Sequence, residues 1–434
     1  MPIRAGFSQV DITPPYWPIR KYGGLHHTVY ATWATDPLYA KAAVFEAGGE
    51  RIAMVALDVV IIEAEHVAAI REQVQERVGI PPEHVLVCAT HNHACPAVIT
   101  RPVFEREEEY LAFLRASAVQ AIAQACEGLQ EVTLGVVSGF EGRLSFNRRW
   151  IMKDGTVKTH PRPGSADMRC AEGGIDPELG VLCARDAEGK VVGVIVNFAC
   201  HAVHKMGGPV VSAGFPGSLC RRVREAVGDR CTCMFVNGAC GNIHHANPMD
   251  PDYVDDPERM GRLLAADVVA LLPQTTPLQG DTVAGVSRDI RLPLRDFSAL
   301  ERQVEDPEFT KPLLASNEVY RASLEVLRAI RAQRDHEVAN VQVLRVGEVA
   351  FACIPAEYFT EHGLRIKMES VLEKTFVISL ANGWVGYVPT ARAFSRPCGH
   401  ETTGALWSKL IPEAGDILAD AALRMVAEVT ASGA

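Results

Sequence analysis

Three stretches of this chain repeat one local plan, and that repetition restricts its architecture more than any other feature. In each, two apolar, β-rich runs flank a polar turn that contains glycine: residues 42–58 around Gly48-Gly49, 181–201 around Glu188-Gly189, and 341–355 around Gly347. Paired apolar runs broken by such a turn predict a β-hairpin each time. Amphipathic patterns between them predict helices over residues 63–78, 107–126, 217–227, 256–272, 317–334 and 414–429. Hairpins with intervening helices imply an α/β (mixed α+β) layered sheet-and-helix fold. Residues 139–180 turn polar and rich in Gly, Pro and Arg, which predicts a long irregular excursion serving as a lid or binding loop, or as an inert insertion.

The far end of each hairpin is where function is expected, because each second strand runs into polar residues: Asp58, then His201, then Glu357 just past Pro355. Side chains at strand exits are well placed to line a shared cleft. A fourth apolar run, Val85-Leu86-Val87-Cys88-Ala89, ends in Thr90-His91-Asn92-His93. Continued along a strand, the period of two puts His91 and His93 on one side, where two neutral nitrogen donors suit a zinc-class ion. The run Val196-Asn197-Phe198-Ala199-Cys200 ends likewise in His201, with His204 three residues on and free to face elsewhere. A lone strand-end histidine reads as a satisfied core or loop residue; two independent clusters favour a metal site.

Composition narrows the partners. With 434 residues, 48% of them apolar, the chain has material for a large core, expected as a single large domain over 1–434. A formal charge of −10 without a basic block argues against nucleic acid or an anionic membrane and leaves a small molecule as the expected partner. The N-terminus lacks a secretion-signal pattern, and no apolar run nears the roughly 18 residues of a membrane span, so a cytoplasmic setting without a membrane anchor is expected. The twelve cysteines fall largely inside apolar runs and are expected to be reduced. Oligomeric state is not readable from the sequence.

A third constellation follows the run Cys231 to Val236: Asn237-Gly238-Ala239-Cys240-Gly241-Asn242-Ile243-His244-His245. Glycine and asparagine let backbone N–H groups converge on an oxyanion. Cys240 reads either as a nucleophile on a tight turn, with His244 or His245 as its base, or as a buried thiol.

Together these motifs resemble one family. Ala5-Gly6-Phe7-Ser8-Gln9-Val10-Asp11-Ile12-Thr13-Pro14-Pro15, Asp36-Pro37-Leu38-Tyr39-Ala40-Lys41-Ala42, Ala89-Thr90-His91-Asn92-His93, Asn197-Phe198-Ala199-Cys200-His201 and Gly386-Tyr387-Val388 occur in the order found in neutral ceramidases, spanning about residues 5 to 405. The chain resembles that family's catalytic domain, without a counterpart to the C-terminal immunoglobulin-like domain of its secreted members. The resemblance implies one catalytic Zn2+ bound by His91, His201, Glu357 and Tyr387, and cleavage of an N-acyl amide. It places His93 at the reacting centre and Arg148 near the substrate.

Two departures qualify that likeness. The family's catalytic serine and a nearby aspartate are replaced by Cys240 and Gly238, Gly214 stands where relatives often hold an aspartate, and His400-Glu401 stands where a Tyr-Glu pair is common. The resulting expectation is a zinc-dependent amidohydrolase acting on a linear or cyclic amide smaller or more soluble than ceramide. His93 would handle protons, Arg148 and the Cys240 turn would steady the oxyanion, and Asn242 and His400 would touch substrate. The alternatives are a cysteine hydrolase using Cys240 and a non-catalytic, zinc-retaining binding protein.

Overall fold

The computed structural model describes residues 2–431 apart from 23, 25–28, 102–103, 307 and 311–312. Each predicted hairpin forms, and each nucleates a sheet. The pairs are Tyr39–Ala47 with Glu50–Leu57, Glu178–Arg185 with Val191–Phe198, and His336–Val346 with Val349–Ile354. In all three units the second hairpin strand is then joined, in parallel, by a later strand: Val85–Ala89, Thr232–Asn237 and Lys374–Ser379 respectively. Parallel pairing needs a crossover, and a helix supplies it each time: Ala64–Val78, Gly214–Val227 and Thr360–Glu369. The molecule is thus built on three hairpin–helix–strand units.

The strands are apolar at almost every position because both sheet faces are covered. One face of each sheet points inward, so that Phe45 and Met54, Ile195 and Met234, and Phe351 and Phe376 share a single core. The outer faces carry helices. Ile70 and Leu114 cover the first sheet, Leu219 and Leu264 the second, and Leu418 and Val426 the third. This bears out the mixed α/β layered fold and the six predicted helices, whose observed bounds include Glu108–Glu127, Pro257–Leu271, Asn317–Gln333 and Ala414–Ala431.

Three expectations need correction. The excursion at 139–180 is not structureless: Arg149–Met152 pairs with both Val157–Thr159 and Met168–Ala171, and Phe146–Asn147 pairs with Ile243–His244. His91 and His93 are not carried by a continued strand, since pairing stops at Ala89 and His91 takes a left-handed backbone with φ of 66°. Asp58 does not reach the cleft, because Lys41 draws it into a buried ion pair of 2.8 Å. All twelve cysteines are free. Among the described residues no helix is long and apolar enough to cross a membrane.

Candidate active site

The chain leaves the parallel strand pairs at one end of the shared core, and a cavity of about 310 Å³ opens there. Such strand ends are the usual position of a ligand crevice in α/β sheets. His91 and His93 arrive from the first unit, His201 from the second, and Glu357 and Tyr387 from the third. The last two stand side by side because Glu357–Tyr358 pairs in parallel with Tyr387–Val388, with Glu357 opposite Tyr387.

The nitrogen and oxygen atoms converge closely. His91 Nε2 lies 2.8 Å from His201 Nε2 and 3.3 Å from His93 Nε2. Glu357 Oε2 lies 3.4 Å from the first of these and 3.3 Å from the second. Donors about 2.0–2.1 Å from a tetrahedral ion stand roughly 3.3 Å apart, so most of these edges have the span of a zinc site.

Hydrogen bonds around the cluster give a second test of fit. His91 Nδ1–H donates to Val60 O at 2.8 Å, and His201 Nδ1–H donates to Cys240 O at 2.9 Å. With those protons committed, the two Nε2 lone pairs face each other inside the protein, an arrangement that calls for a cation between them. Burial and then Arg148 push His201 down to about 3, which disfavours the charged form of that ring. Glu357 Oε1 accepts from Trp384 Nε1 at 3.0 Å, while among the described residues its buried Oε2 has no hydrogen-bond partner. Two imidazoles and a carboxylate suit zinc in softness and charge.

Tyr387 and Arg148 sit next to this cluster. Burial pushes the Tyr387 hydroxyl well up, and the Arg148 guanidinium opposes that shift. Arg148 lines the cavity with its guanidinium carbon 5.3 Å from the Tyr387 ring centroid, and donates to Glu401 Oε1 and Gly241 O at 2.8 Å each. Glu401 also accepts from Arg149 at 2.7 Å, so two buried arginines share one buried carboxylate. His93 lines the cavity with Nδ1 unpartnered, and burial together with His91 and His201 holds it well below the usual imidazole range. His400 also lines the cavity, stacked on Trp407 at 4.9 Å between centroids.

Two residues expected in the cleft stand behind its wall instead of lining the cavity. Cys240 is fully buried among the apolar residues of the first unit, and burial raises its thiol far above the ordinary range. Among the described residues its Sγ has no hydrogen bond to His244 or His245; its carbonyl, not its thiol, serves the site by orienting His201. Asn242 spends its amide on scaffolding, accepting from Thr360 N and donating to Glu361 Oε2, both at 2.9 Å. Three backbone N–H groups of this turn are also committed: Gly238 to Phe198 O, Gly241 to Tyr358 O and Ile243 to Cys240 O. Glycine at 241 is required by close approach, since a Cβ there would meet Glu357 O at 2.4 Å. The turn thus joins the second and third units, with Gly241 N bonded to Tyr358 O.

Trp384, Tyr22 and His160 line the cavity without having been singled out in the sequence. Tyr22 packs its ring edge-on against His93 at 5.1 Å, and Arg101 covers the Trp384 ring at 4.2 Å. An aromatic in a loop carries no pattern that separates it from packing. His160 lay within reach of sequence reasoning, as a histidine inside an excursion already marked as a candidate binding loop.

The fold and its strand-end cluster define a layered α/β protein with a candidate metal centre where three sheets meet. That fold is the neutral ceramidase fold. It matches the crystal structure of neutral ceramidase from Pseudomonas aeruginosa with a TM-score of 0.74 at 19% identity, covering 100% of this chain and 75% of that one. A second solved structure, a ceramidase complexed with C2, matches with a TM-score of 0.76 at 18% identity, covering 100% of this chain and 76% of that one. No family model matches the sequence, and no curated protein matches it.

Proposed function

We propose that the protein is a zinc-dependent amidohydrolase that cleaves an N-acyl carboxamide bond with activated water. The observation that carries the reading is the convergence of His91 Nε2, His201 Nε2 and the unpartnered Glu357 Oε2 at the wall of the cavity. Tyr387 completes the ligand set in this reading. Zinc bound there would supply Lewis acidity, lowering the pKa of a water towards about 7 and polarising the scissile carbonyl. The likeness of fold to neutral ceramidases supports amide-bond chemistry.

The chain's own residues then divide the work. Val60 O and Cys240 O hold the two imidazoles in the tautomer that presents Nε2. Trp384 fixes the rotation of the Glu357 carboxylate. His93, neutral and with a free ring nitrogen, takes a proton from the nucleophilic water and returns one to the leaving amine. Arg148, anchored by Glu401, sets a positive charge beside Tyr387 and the developing oxyanion. His400 and Trp407 supply a flat wall for an acyl or amine group. The cavity of about 310 Å³ takes the scissile amide and its immediate substituents, and the substrate in this reading is smaller or more soluble than ceramide.

The test is zinc analysis of purified protein together with hydrolysis of a panel running from short N-acyl amines and lactams to ceramide. Stoichiometric zinc and turnover that both vanish in His91→Ala are expected. Hydrolysis that survives chelation and His91→Ala overturns the mechanism.

A further inference from the structure

One cation of the cavity has no part in the proposed reaction. Arg101 is a lining residue, as are Tyr22 and Trp384. Its backbone is fixed, since Arg101 N donates to Phe104 O at 2.8 Å and Phe104 N donates back to Arg101 O at 3.1 Å. Phe104 is buried and packs edge-on against Tyr22, with ring centroids 5.7 Å apart. The Arg101 guanidinium lies over the Trp384 ring, 4.2 Å from its centroid, and Trp384 Nε1 donates to Glu357 Oε1 at 3.0 Å. One indole ring therefore separates this positive charge from the candidate metal centre.

The two arginines of the cavity differ in charge balance. Arg148 is neutralised by Glu401 at 2.8 Å, whereas among the described residues Arg101 forms no ion pair with a carboxylate. Glu63 feels the charge of Arg101, but its own carboxylate is held by Arg106 at 2.8 Å. Among the described residues that line the cavity Glu357 is the one acid, and it faces His91 and His201. A chain with a formal charge of −10 thus keeps an unneutralised cation in a cavity whose carboxylate is already engaged. A guanidinium half withdrawn from water gains most from an anion, and its planar fork matches a carboxylate with two parallel hydrogen bonds.

We propose that Arg101 is a specificity-determining residue that binds a carboxylate of the substrate, which makes the substrate class a short amide bearing an acid group. The assignment rests on the amide-hydrolase reading of this cavity and narrows it. Burial pushes the Tyr22 hydroxyl up while Arg101 opposes that shift, so a protonated phenol stands beside the guanidinium to donate to the same carboxylate. With the acid group held next to Trp384, an amide a few bonds away reaches His91, His201 and Glu357. A neutral amide such as ceramide gains nothing from Arg101.

Matched pairs of amides test the assignment. N-butanoylglycine against N-butanoylglycinamide puts the charge on the amine side, and N-methylsuccinamic acid against N-methylbutanamide puts it on the acyl side. Wild type is expected to favour the charged member of one pair by about 10–100-fold in kcat/KM, mostly through KM, the worth of a hydrogen bond to a charged group. The pair that shows the preference assigns the side. In Arg101→Gln the ratio of charged to neutral should fall to near one. Equal turnover of both members by wild type, or a preference that survives Arg101→Gln, overturns the assignment and leaves the hydrolase reading standing. Where wild type cleaves neither pair, calorimetric binding of the same amides decides, and the wider amide panel judges the hydrolase reading separately. Tighter binding of a charged member that is lost in Arg101→Gln supports the carboxylate site; equal binding, or none, overturns it. If Arg101→Gln does not fold, Arg101→Lys decides, because lysine keeps the charge and loses the fork. A ratio lowered severalfold then supports the site, and an unchanged ratio overturns it.

Discussion

The first and third units end their hairpins in the same chemistry, a carboxylate just past the second strand, and put it to opposite uses. Asp58 and Glu357 are both withdrawn from water, with side chains 1% and 7% exposed. Asp58 Oδ2 accepts from Lys41 Nζ at 2.8 Å and from Tyr39 N at 2.9 Å. Among the described residues Glu357 forms no ion pair with a lysine or arginine and instead faces two imidazole nitrogens. The difference lies in one partner residue. Lys41 stands opposite Ala56, two positions before Asp58, and neutralises it inside the first sheet. A strand-exit carboxylate is therefore a brace where the neighbouring strand carries a buried lysine, and a potential ligand where it does not.

The sharpest break of this comparison is Glu357→Gln. The change keeps volume and the bond from Trp384 but removes the charge that offsets a dication. Zinc occupancy and hydrolysis are expected to fall below detection, with the thermal midpoint of the apo protein nearly unchanged. Retained zinc with a lowered midpoint would make Glu357 a brace like Asp58.

The next effect should run the other way. Asp58→Asn leaves Lys41 charged and unpaired in the interior, which costs about 3–5 kcal/mol of stability. Zinc binding by the folded protein should be retained. Denaturant unfolding monitored beside zinc content separates the two outcomes, and loss of zinc at full stability would place Asp58 in the site after all.

A smaller effect tests the contact that sets Glu357 apart. Trp384→Phe keeps the aromatic wall but deletes the N–H that holds Glu357 Oε1. Second-sphere deletions of this kind cost about 10–100-fold in metal affinity. Chelator competition reads that change directly; an unchanged affinity would mean that the parallel pairing with Tyr387 alone orients the carboxylate.

These contrasts also explain what was legible in the sequence. The three hairpins and six helices announce themselves because apolar runs, glycine turns and helical periodicity are local signals. The helix Thr360–Glu369 is only ten residues long and interrupted by His362 and Gly363, so its periodicity is faint. His201 and Glu357 could be placed at strand exits, but the same rule nominated Asp58, since nothing local reports that Lys41 faces it across the hairpin. Trp384 acts through a contact 27 residues away and has no motif of its own.

The smallest expected effect concerns Cys240, the residue whose sequence context most resembled a nucleophile. Its thiol is buried among apolar side chains, burial pushes it well up, and among the described residues no histidine hydrogen-bonds to it, whereas a nucleophilic cysteine is activated by a lowered pKa or an adjacent base. What the site takes from this residue is the carbonyl that accepts from His201 Nδ1, and a backbone group survives any side-chain change. Cys240→Ala should therefore leave kcat/KM within about twofold, because a 1.4 kcal/mol change in barrier would already be tenfold. Stability should fall by about 1 kcal/mol, the common cost of trimming a buried side chain. Inactivation of the folded variant would return the thiol to the mechanism, whereas full activity would show that His201 draws on the peptide at 240 and not on its sulfur.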